Sequence, residues 1–357
     1  MPLKDIIDGT YSAWMSTNAP HTDVALSSRV RLARNLGNIP FPNQASEADL
    51  ARVARKVEKA VSQVPELSRL EVMRLSEASV LDRHILVEKH LISPQHAQGA
   101  ENRFAIIADD ESVSVMVNEE DHIRIQTLLP GLQLSEAYQL ADKIDDLFES
   151  KLDYAFDERI GYITACPTNV GTGLRVSIMV HLPALVATGQ VKAVLSAVSN
   201  LGIAVRGLYG EGTEASGNMF QLSNQVTLGR SEQELTESLH AVTMQVIQQE
   251  RSTRKKLILE MREQLEDRVQ RAYGVLCHAR LMTSQEALKL LSDAKLGVEL
   301  QLISEVDGET LNELMVITQP AYLQKLAGQG LDPPQRDIRR ATLIRERIRT
   351  RREGKER

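Results

Sequence analysis

The chain has 357 residues, 42% hydrophobic and 25% charged, with a net charge of −6, an ordinary globular mixture that excludes a disordered chain, a collagen or a coiled-coil rod. At roughly 150 residues per domain, the length favours two domains. The last 22 residues, Arg336–Arg357, hold ten basic and four acidic side chains, so the preceding 335 carry −12, a balance that disfavours a dedicated nucleic-acid-binding body.

No apolar run approaches the ~18 residues of a bilayer crossing; the best, Ile178–Ala187, is broken by His181 and Pro183. The start MPLKDIIDGT lacks the apolar segment of a secretory signal. Cys166 and Cys277 lie 111 positions apart and the eight histidines show no metal-ligand spacing, so a reducing, cytoplasmic setting and no protein-held metal are expected.

In chain order, Ser46 and Asp49 form a capping-box pattern before Leu50, Val53, Val57 and Val61 recur at helical spacing, predicting a helix over 46–63. Runs at 103–109 and 112–118, split by an acidic turn, predict a β-hairpin. The stretch 135–150 is an amphipathic helix, and further strands are expected at 160–166, 174–181, 202–209 and 219–228. From Ser231, where SEQE offers a second capping box, the chain becomes long, polar and periodic to about residue 271 and stays helical beyond. Asp332-Pro333-Pro334 punctuates it before a last helix over about 335–352. The expected fold class is α+β to about residue 230–250, followed by an all-α domain.

Ser27-Ser28-Arg29-Val30-Arg31 places Ser27, Arg29 and Arg31 on one side of a strand. Arg124 follows the acidic turn Asn118-Glu119-Glu120-Asp121-His122, Arg175 follows Gly171-Thr172-Gly173, and Arg206 precedes Gly207. Arginines in strand contexts, some beside glycines that permit close backbone approach, suit a polyanion such as a nucleotide triphosphate. Taken singly, each would be a surface or ion-paired arginine. No GxxxxGK[ST], GxGxxG, HRD or DFG motif is present, so a nucleotide would rest on arginine side chains and not on a glycine-rich cradle.

The run Cys166-Pro167-Thr168-Asn169-Val170-Gly171-Thr172-Gly173-Leu174-Arg175 resembles the active-site cysteine stretch of the phosphagen (guanidino) kinases. The SSRVR, NEEDH and RGLYGE segments resemble other motifs of that family in the same order, over roughly residues 20–250. Only 26 residues precede SSRVR, and about a hundred helical residues follow the resemblance. That arrangement is similar to the bacterial protein-arginine kinase family, whose RDxxRA motif resembles Arg336-Asp337-Ile338-Arg339-Arg340-Ala341.

The resemblance implies an antiparallel-sheet, glutamine-synthetase-like catalytic domain at 20–250 and a helical regulatory and dimerisation domain at 251–357. It implies transfer of the ATP γ-phosphoryl to arginine side chains of proteins, with Mg²⁺ carried by the nucleotide. Glu120, Glu211 and Cys166 would contact the guanidinium. The nucleotide would be bound by Ser27, Ser28, Arg29, Val30, Arg31, Arg124, Arg175, Val176, Ser177, Ile178 and Met179, and by Arg206, Gly207, Leu208, Tyr209, Gly210 and Glu211. Either His84 or His90 would contact it as well. The position of Tyr209 is usually basic in arginine kinases. Residues 336–341 would form an allosteric phosphoarginine pocket.

Implied partners are arginine-bearing substrates (a heat-shock repressor and damaged proteins), a zinc-binding activator, Clp-type protease machinery and a second copy of the chain, with no membrane and no direct nucleic-acid partner. Without the resemblance, Glu119–Asp121 would be a solvated turn, Cys166 a small buried residue, and Asp337 with Arg340 an exposed i,i+3 pair. The alternatives are a metabolic arginine kinase acting on free arginine and a non-catalytic phosphoarginine-binding adaptor.

Overall fold

In the computed structural model the described residues are 3–207 and 216–355. The first part of the chain runs through α1 (Leu3–Asp8), β1 (Ala25–Arg34), α2 (Glu47–Gln63), β2 (Glu71–Arg74), α3 (Val80–Glu88) and α4 (Pro94–Gln98). It continues with β3 (Phe104–Ile107), β4 (Val113–Val117), β5 (Ile123–Pro130), α5 (Leu134–Glu149), β6 (Phe156–Asp157), β7 (Gly161–Tyr162) and β8 (Leu174–His181). Then come α6 (Pro183–Ala187), α7 (Val191–Asn200), β9 (Ile203–Gly207), β10 (Met219–Asn224) and α8 (Glu232–Glu260). The rest is helical: α9 (Arg262–His278), α10 (Ser284–Glu299), α11 (Gly308–Ile317), α12 (Pro320–Ala327) and α13 (Pro333–Lys355).

Local chemistry sets the helix starts. Ser46 Oγ accepts the Asp49 amide while Asp49 Oδ2 accepts the Ser46 amide, each at 3.2 Å, closing a capping box on α2. Ser231 and Glu234 form the same reciprocal pair before α8, at 2.9 and 3.2 Å. Asp332 accepts the Gln335 amide at 2.8 Å and so starts α13 at Pro333, where a proline's missing N–H costs nothing.

Three expectations are corrected. The strand expected at 160–166 is only Gly161–Tyr162, because the Ile163 carbonyl then accepts Asn35 Nδ2 at 3.0 Å and the Ala165 amide donates to Asp121 Oδ1 at 2.8 Å, side-chain partners in place of a strand. The strand expected at 219–228 stops at Asn224. The periodic run to 271 is two helices, interrupted at Met261 by a non-helical φ of −140°. The strand expected at 202–209 is Ile203–Gly207 as far as the described residues go.

The strand order is β2-β3-β4-β5-β1-β8-β10-β9, with β6-β7 as a separate hairpin. Strands β2 through β5 and β1 pair antiparallel with their neighbours, β1 opposing β5 from Ser27↔Pro130 to Arg34↔Ile123. The chain packs as two compact units, the first drawn from Met1–Trp14, Ser27–Ile178 and Ser223–Ala241. The second is drawn from Met15–Leu26, Met179–Leu222 and Val242–Arg357.

In the first unit, strand alternation gives the sheet two unlike faces. Val30, Leu32, Ile123 and Ile125 are buried on one, under the buried α5 side chains Ala137, Ala141, Ile144 and Phe148. Thr127 Oγ1 donates to Ala137 O at 2.7 Å and Arg34 pairs with Asp145 at 2.6 Å on that same side. Burying such apolar area contributes roughly 25 cal/mol per Å². The opposite face carries Arg29, Arg31, Arg124 and Gln126.

In the second unit the helices are tied by buried charge. The Glu250 carboxylate accepts the Ala184 and Leu185 amides at 3.1 and 3.0 Å at the start of α6, and the Arg254 Nε at 2.8 Å. No helix among the described residues is long and apolar enough to cross a membrane.

Candidate active site

The face of the sheet turned away from α5 concentrates positive charge in the first unit. On β1, Arg29 and Arg31 are half-buried on successive same-side positions and oppose Leu128 and Gln126, while Arg124 opposes Ala33. Arg29 Nε donates to Ser177 Oγ of β8 at 3.4 Å, and Arg175 Nη2 donates to Ser223 Oγ of β10 at 3.4 Å. The buried Nε of Arg31 meets no acceptor among the described residues.

Burial, then the charges of Arg175 and Arg124, pushes the Arg29 guanidinium down to about 10. Burial, then Arg29, Arg124 and Arg175, pushes Arg31 well down, and Glu119 opposes them. A protein arginine normally never loses its proton, so these shifts show a charge disfavoured first by burial and then by repulsion from neighbouring arginines. A bound polyanion is what relieves it.

Arg124 behaves oppositely. Burial pulls its proton affinity down, but Glu119, Glu120 and Asp121 together raise it. Its Nη1 lies 2.6 Å from Glu119, and its Nη2 lies 2.7 Å from Glu120 and 3.5 Å from Asp121. The acidic segment is therefore no solvated turn. Asn118 adopts φ 60° and donates to Leu50 O and Asn102 O at 2.9 and 2.7 Å. Glu119 is buried and accepts Ser93 Oγ at 2.6 Å. Glu120 is half-buried and the most open member, with 38% of its side chain accessible.

Asp121 fastens this turn to the cysteine loop. Its Oδ1 accepts Asn35 Nδ2 at 2.7 Å and the Ala165 amide at 2.8 Å, one residue before Cys166. His122 Nδ1 accepts the Leu36 amide at 3.0 Å while Nε2 donates to Pro40 O at 2.9 Å.

Cys166 is half-buried, its Sγ 3.1 Å from Thr168 Oγ1. The loop then closes on β1 through Gly173, whose φ of 65° and 2.6 Å gap between a would-be Cβ and Ala33 O admit no side chain. Glu120, Cys166 and the arginines thus share one rigid frame.

The ATP:guanido phosphotransferase C-terminal catalytic domain family matches residues 52–253, beginning after β1. The family of the protein-arginine kinase McsB C-terminal domain matches residues 262–357. The chain is 51% identical over 351 residues to the protein-arginine kinase of Symbiobacterium thermophilum, covering 98% of this chain and 99% of that one. It is 48% identical over 357 residues to that of Bacillus subtilis, covering 99% and 98%. The chain belongs to the protein-arginine kinase family.

Its fold is also that of solved guanidino kinases. Lombricine kinase superposes with a TM-score of 0.57 at 22% identity, over 65% of this chain and 67% of that one. The substrate-free duplicated taurocyamine kinase of Schistosoma mansoni gives 0.57 at 22% identity, over 79% and 41%.

Within this protein-arginine kinase frame the remaining expected site residues separate. Ser27 is buried on the arginine side of β1, but Ser28 faces α5, its hydroxyl accepting the Gln133 amide and donating to Gly131 O at 2.8 Å each. Val30, Val176 and Ile178 are fully buried at alternate positions. These four present only backbone to the arginine face; their side chains fix the register of Arg29, Arg31, Arg175 and Ser177. Met179 lies in the second unit, buried, as does Arg206, which is exposed on β9 and followed by Gly207 at the strand's end. Leu208, Tyr209, Gly210 and Glu211 lie outside the described residues.

His84 is exposed on α3. His90 follows α3 at φ 64°, and its carbonyl accepts Gln126 Nε2 of the arginine face at 2.8 Å. Burial, then the charge of Arg29, holds its imidazole at about 4, so it is neutral at pH 7. The structure therefore brings His90, and not His84, to the arginines.

In the helical segment, Arg340 is 2% exposed and donates to Thr318 O at 2.9 Å, Met282 O at 2.8 Å and Asp337 Oδ1 at 2.5 Å. The Asp337–Arg340 pair exists, but half-buried on one side and buried on the other, not as an exposed pair. Arg336 donates to Leu331 O at 3.5 Å, Ile338 is exposed, Arg339 is half-buried and Ala341 is buried. A separate cavity of about 540 Å³ between α9 and α13 begins one residue further on, lined by Thr342 and by Arg280, Arg345, Arg349 and Arg352.

Sequence reasoning missed Ser223, Gln126 and the anchoring role of Asp121. The first two could have been found from strand alternation, which puts them on the arginine side; Asp121 gave no local signal.

Proposed function

We propose that this chain transfers the γ-phosphoryl group of ATP to a guanidinium nitrogen of arginine side chains in proteins. The observation that carries this reading is the depressed proton affinity of Arg29 and Arg31 on a face that also holds Arg175, within the frame that presents Glu120 and Cys166. The triphosphate oxygens fit these arginines, whose fork geometry suits phosphate. Mg²⁺ would be held by those phosphates, since Glu119 and Asp121 are committed to Arg124; it would supply charge neutralisation to the transferring group.

An arginine guanidinium arrives charged and is a poor nucleophile. Glu120, the open carboxylate of its turn, would take the guanidinium's N–H hydrogen bonds, orient one nitrogen in line, and receive the proton that leaves as the P–N bond forms. Arg124 holds that carboxylate at 2.7 Å, which fixes its direction. Glu211 takes the role of second carboxylate from its motif alone. Cys166 would contact the guanidinium from the other loop. Arg29, Arg31 and Arg175 would spread the charge of a loose, metaphosphate-like transition state, so positioning and electrostatics supply most of the rate.

The same reading assigns catalysis to 20–250 and regulation with dimerisation to 251–357. Within the latter, Arg336 and its neighbours in RDIRRA would sense phosphoarginine. The family supports a heat-shock repressor and damaged proteins as substrates, a zinc-binding activator and Clp-type protease machinery as partners. The nucleotide roles of Arg206 and Gly207 rest on their motif.

The test is incubation with Mg-ATP and, separately, free arginine and an unfolded arginine-rich protein, read by phosphorus NMR and non-acidic mass spectrometry. Acid-labile phosphate on protein arginines, with none on free arginine, is the expected result. Transfer to free arginine alone would make the chain a metabolic arginine kinase, and nucleotide binding without transfer to either acceptor would make it an adaptor.

A further inference from the structure

The segment before β1 takes no part in the catalytic reading, yet it is fastened to Lys89 and meets the ring of His90 through Trp14. Lys89 is fully buried, and its three ammonium donors are all committed: to Ile6 O at 2.7 Å, to Gly9 O at 3.2 Å and to the Glu111 carboxylate. Glu111 in turn accepts Ser12 Oγ at 2.5 Å. A buried ammonium is tolerated only when so saturated. The consequence is that residues 6–12 are bolted to the residue preceding His90.

His90 itself is held in the left-handed region at φ 64°, which a residue with a Cβ adopts at a cost of roughly 1 kcal/mol. Its backbone is tied by Gln126 at 2.8 Å. Its ring lies 5.8 Å from the ring of Trp14, tilted by 53°, a separation at which aromatic rings attract. Trp14 is 5% exposed, and its indole N–H is buried without an acceptor among the described residues. The Gln126 bond and the Trp14 contact thus both bear on one strained residue, whose neighbour Lys89 is itself anchored. Strain that is over-determined in this way marks a site whose geometry matters.

We propose that Trp14 is a positioning residue for nucleotide binding: it sets the His90 imidazole beside the arginine face, and the Ile6–Gly9–Ser12 segment, anchored on Lys89 and Glu111, exists to hold Trp14 there. This deepens the reading above and rests on its placement of the nucleotide. The ligand is the nucleotide's base and ribose end, because the arginines claim the phosphates and a neutral imidazole, braced by a buried tilted indole, offers an uncharged ring. Phosphoryl transfer itself does not involve Trp14.

Trp14 is the chain's one tryptophan, so its emission reports this position alone. Titrating the full chain with Mg-ATP should change that emission saturably, with the midpoint found by calorimetry. Trp14→Ala should raise the KM for ATP about 3- to 10-fold, the effect of losing one aromatic pair, with kcat within about 2-fold. Trp14→Phe should restore most of the KM. A merely structural tryptophan would lower the unfolding midpoint and leave KM alone.

Unchanged emission at calorimetric saturation overturns the proposal, and it does so without any variant that has to fold. An unchanged KM in Trp14→Ala overturns it too. ATP binding that is indifferent to Arg31→Ala sinks the placement of the nucleotide, and the proposal with it. Arg31-dependent binding with silent emission sinks the Trp14 role alone.

Discussion

Two groups of motif arginines use the same side chain in opposite ways. Arg340 in α13 is buried with acceptors at Thr318, Met282 and Asp337, so its charge is spent on holding helices. Arg29 and Arg31 on β1 are crowded by each other, by Arg124 and by Arg175, and their protons are held less firmly than an arginine's should be. Arg124 stands between the cases, with the same neighbours but three carboxylates to balance them. An arginine in a motif is therefore not by itself a ligand-binding arginine. What separates them is the charge around each: carbonyls and a carboxylate around Arg340, burial and other arginines around Arg29 and Arg31.

The largest effect expected is at the carboxylate that the arginines present. Glu120→Gln should lower kcat about 10²- to 10⁴-fold, the worth of a positioned general base, while circular dichroism and nucleotide affinity stay near wild type. A variant retaining more than about a tenth of the rate would remove Glu120 from that role. Next, Arg340→Ala should cost roughly 3–5 kcal/mol of unfolding free energy in urea, since it strands two carbonyls and Asp337. Arg340→Lys should recover little of it, because an ammonium cannot reproduce the fork. Wild-type stability in either would mean that the contacts of Arg340 to Thr318, Met282 and Asp337 do not hold the helices.

A smaller effect is expected from pH. His96 and His181 are fully buried and their proton affinities are pushed down by burial, His96 to about 4. The unfolded chain takes up these protons from about pH 6.5 downward while the folded chain resists, so the stabilisation is present above 6.5 and is lost as the pH falls. The unfolding free energy should drop by about 1–3 kcal/mol between pH 6.5 and 4, and a flat profile in denaturant titrations would contradict the burial of both rings. The smallest effect is at Arg336. Arg336→Ala should change stability by less than about 0.5 kcal/mol, yet remove stimulation of the kinase by added phosphoarginine. An unchanged dose–response would leave the helix as structure only.

What the sequence made legible was local. The alternation of SSRVR fixes which arginines share a face, and the Ser46–Asp49 and Ser231–Glu234 boxes fix two helix starts to the residue. The contacts that decide each arginine's role were not legible, because they join positions far apart: Arg340 to Met282 and Thr318, Asp121 to Asn35 and Ala165, His90 to Trp14 and Gln126. Alternation also hid a distinction, since Ser28 and Val30 sit in the same motif as Arg29 and Arg31 but are spent on α5. The interruption at Met261 carried no proline or glycine to betray it.

Arg29 and Arg31 are buried beside Arg124 and Arg175, a crowding of positive charge that a bound nucleotide would offset. The most direct measurement is the unfolding midpoint of wild type and Arg31→Met, each with and without Mg-ATP. The substitution should stabilise the ligand-free protein, by about 1 kcal/mol as binding-site charges commonly do when removed, and abolish the upward shift that Mg-ATP produces in wild type. A destabilised variant that keeps its full nucleotide shift would contradict both expectations.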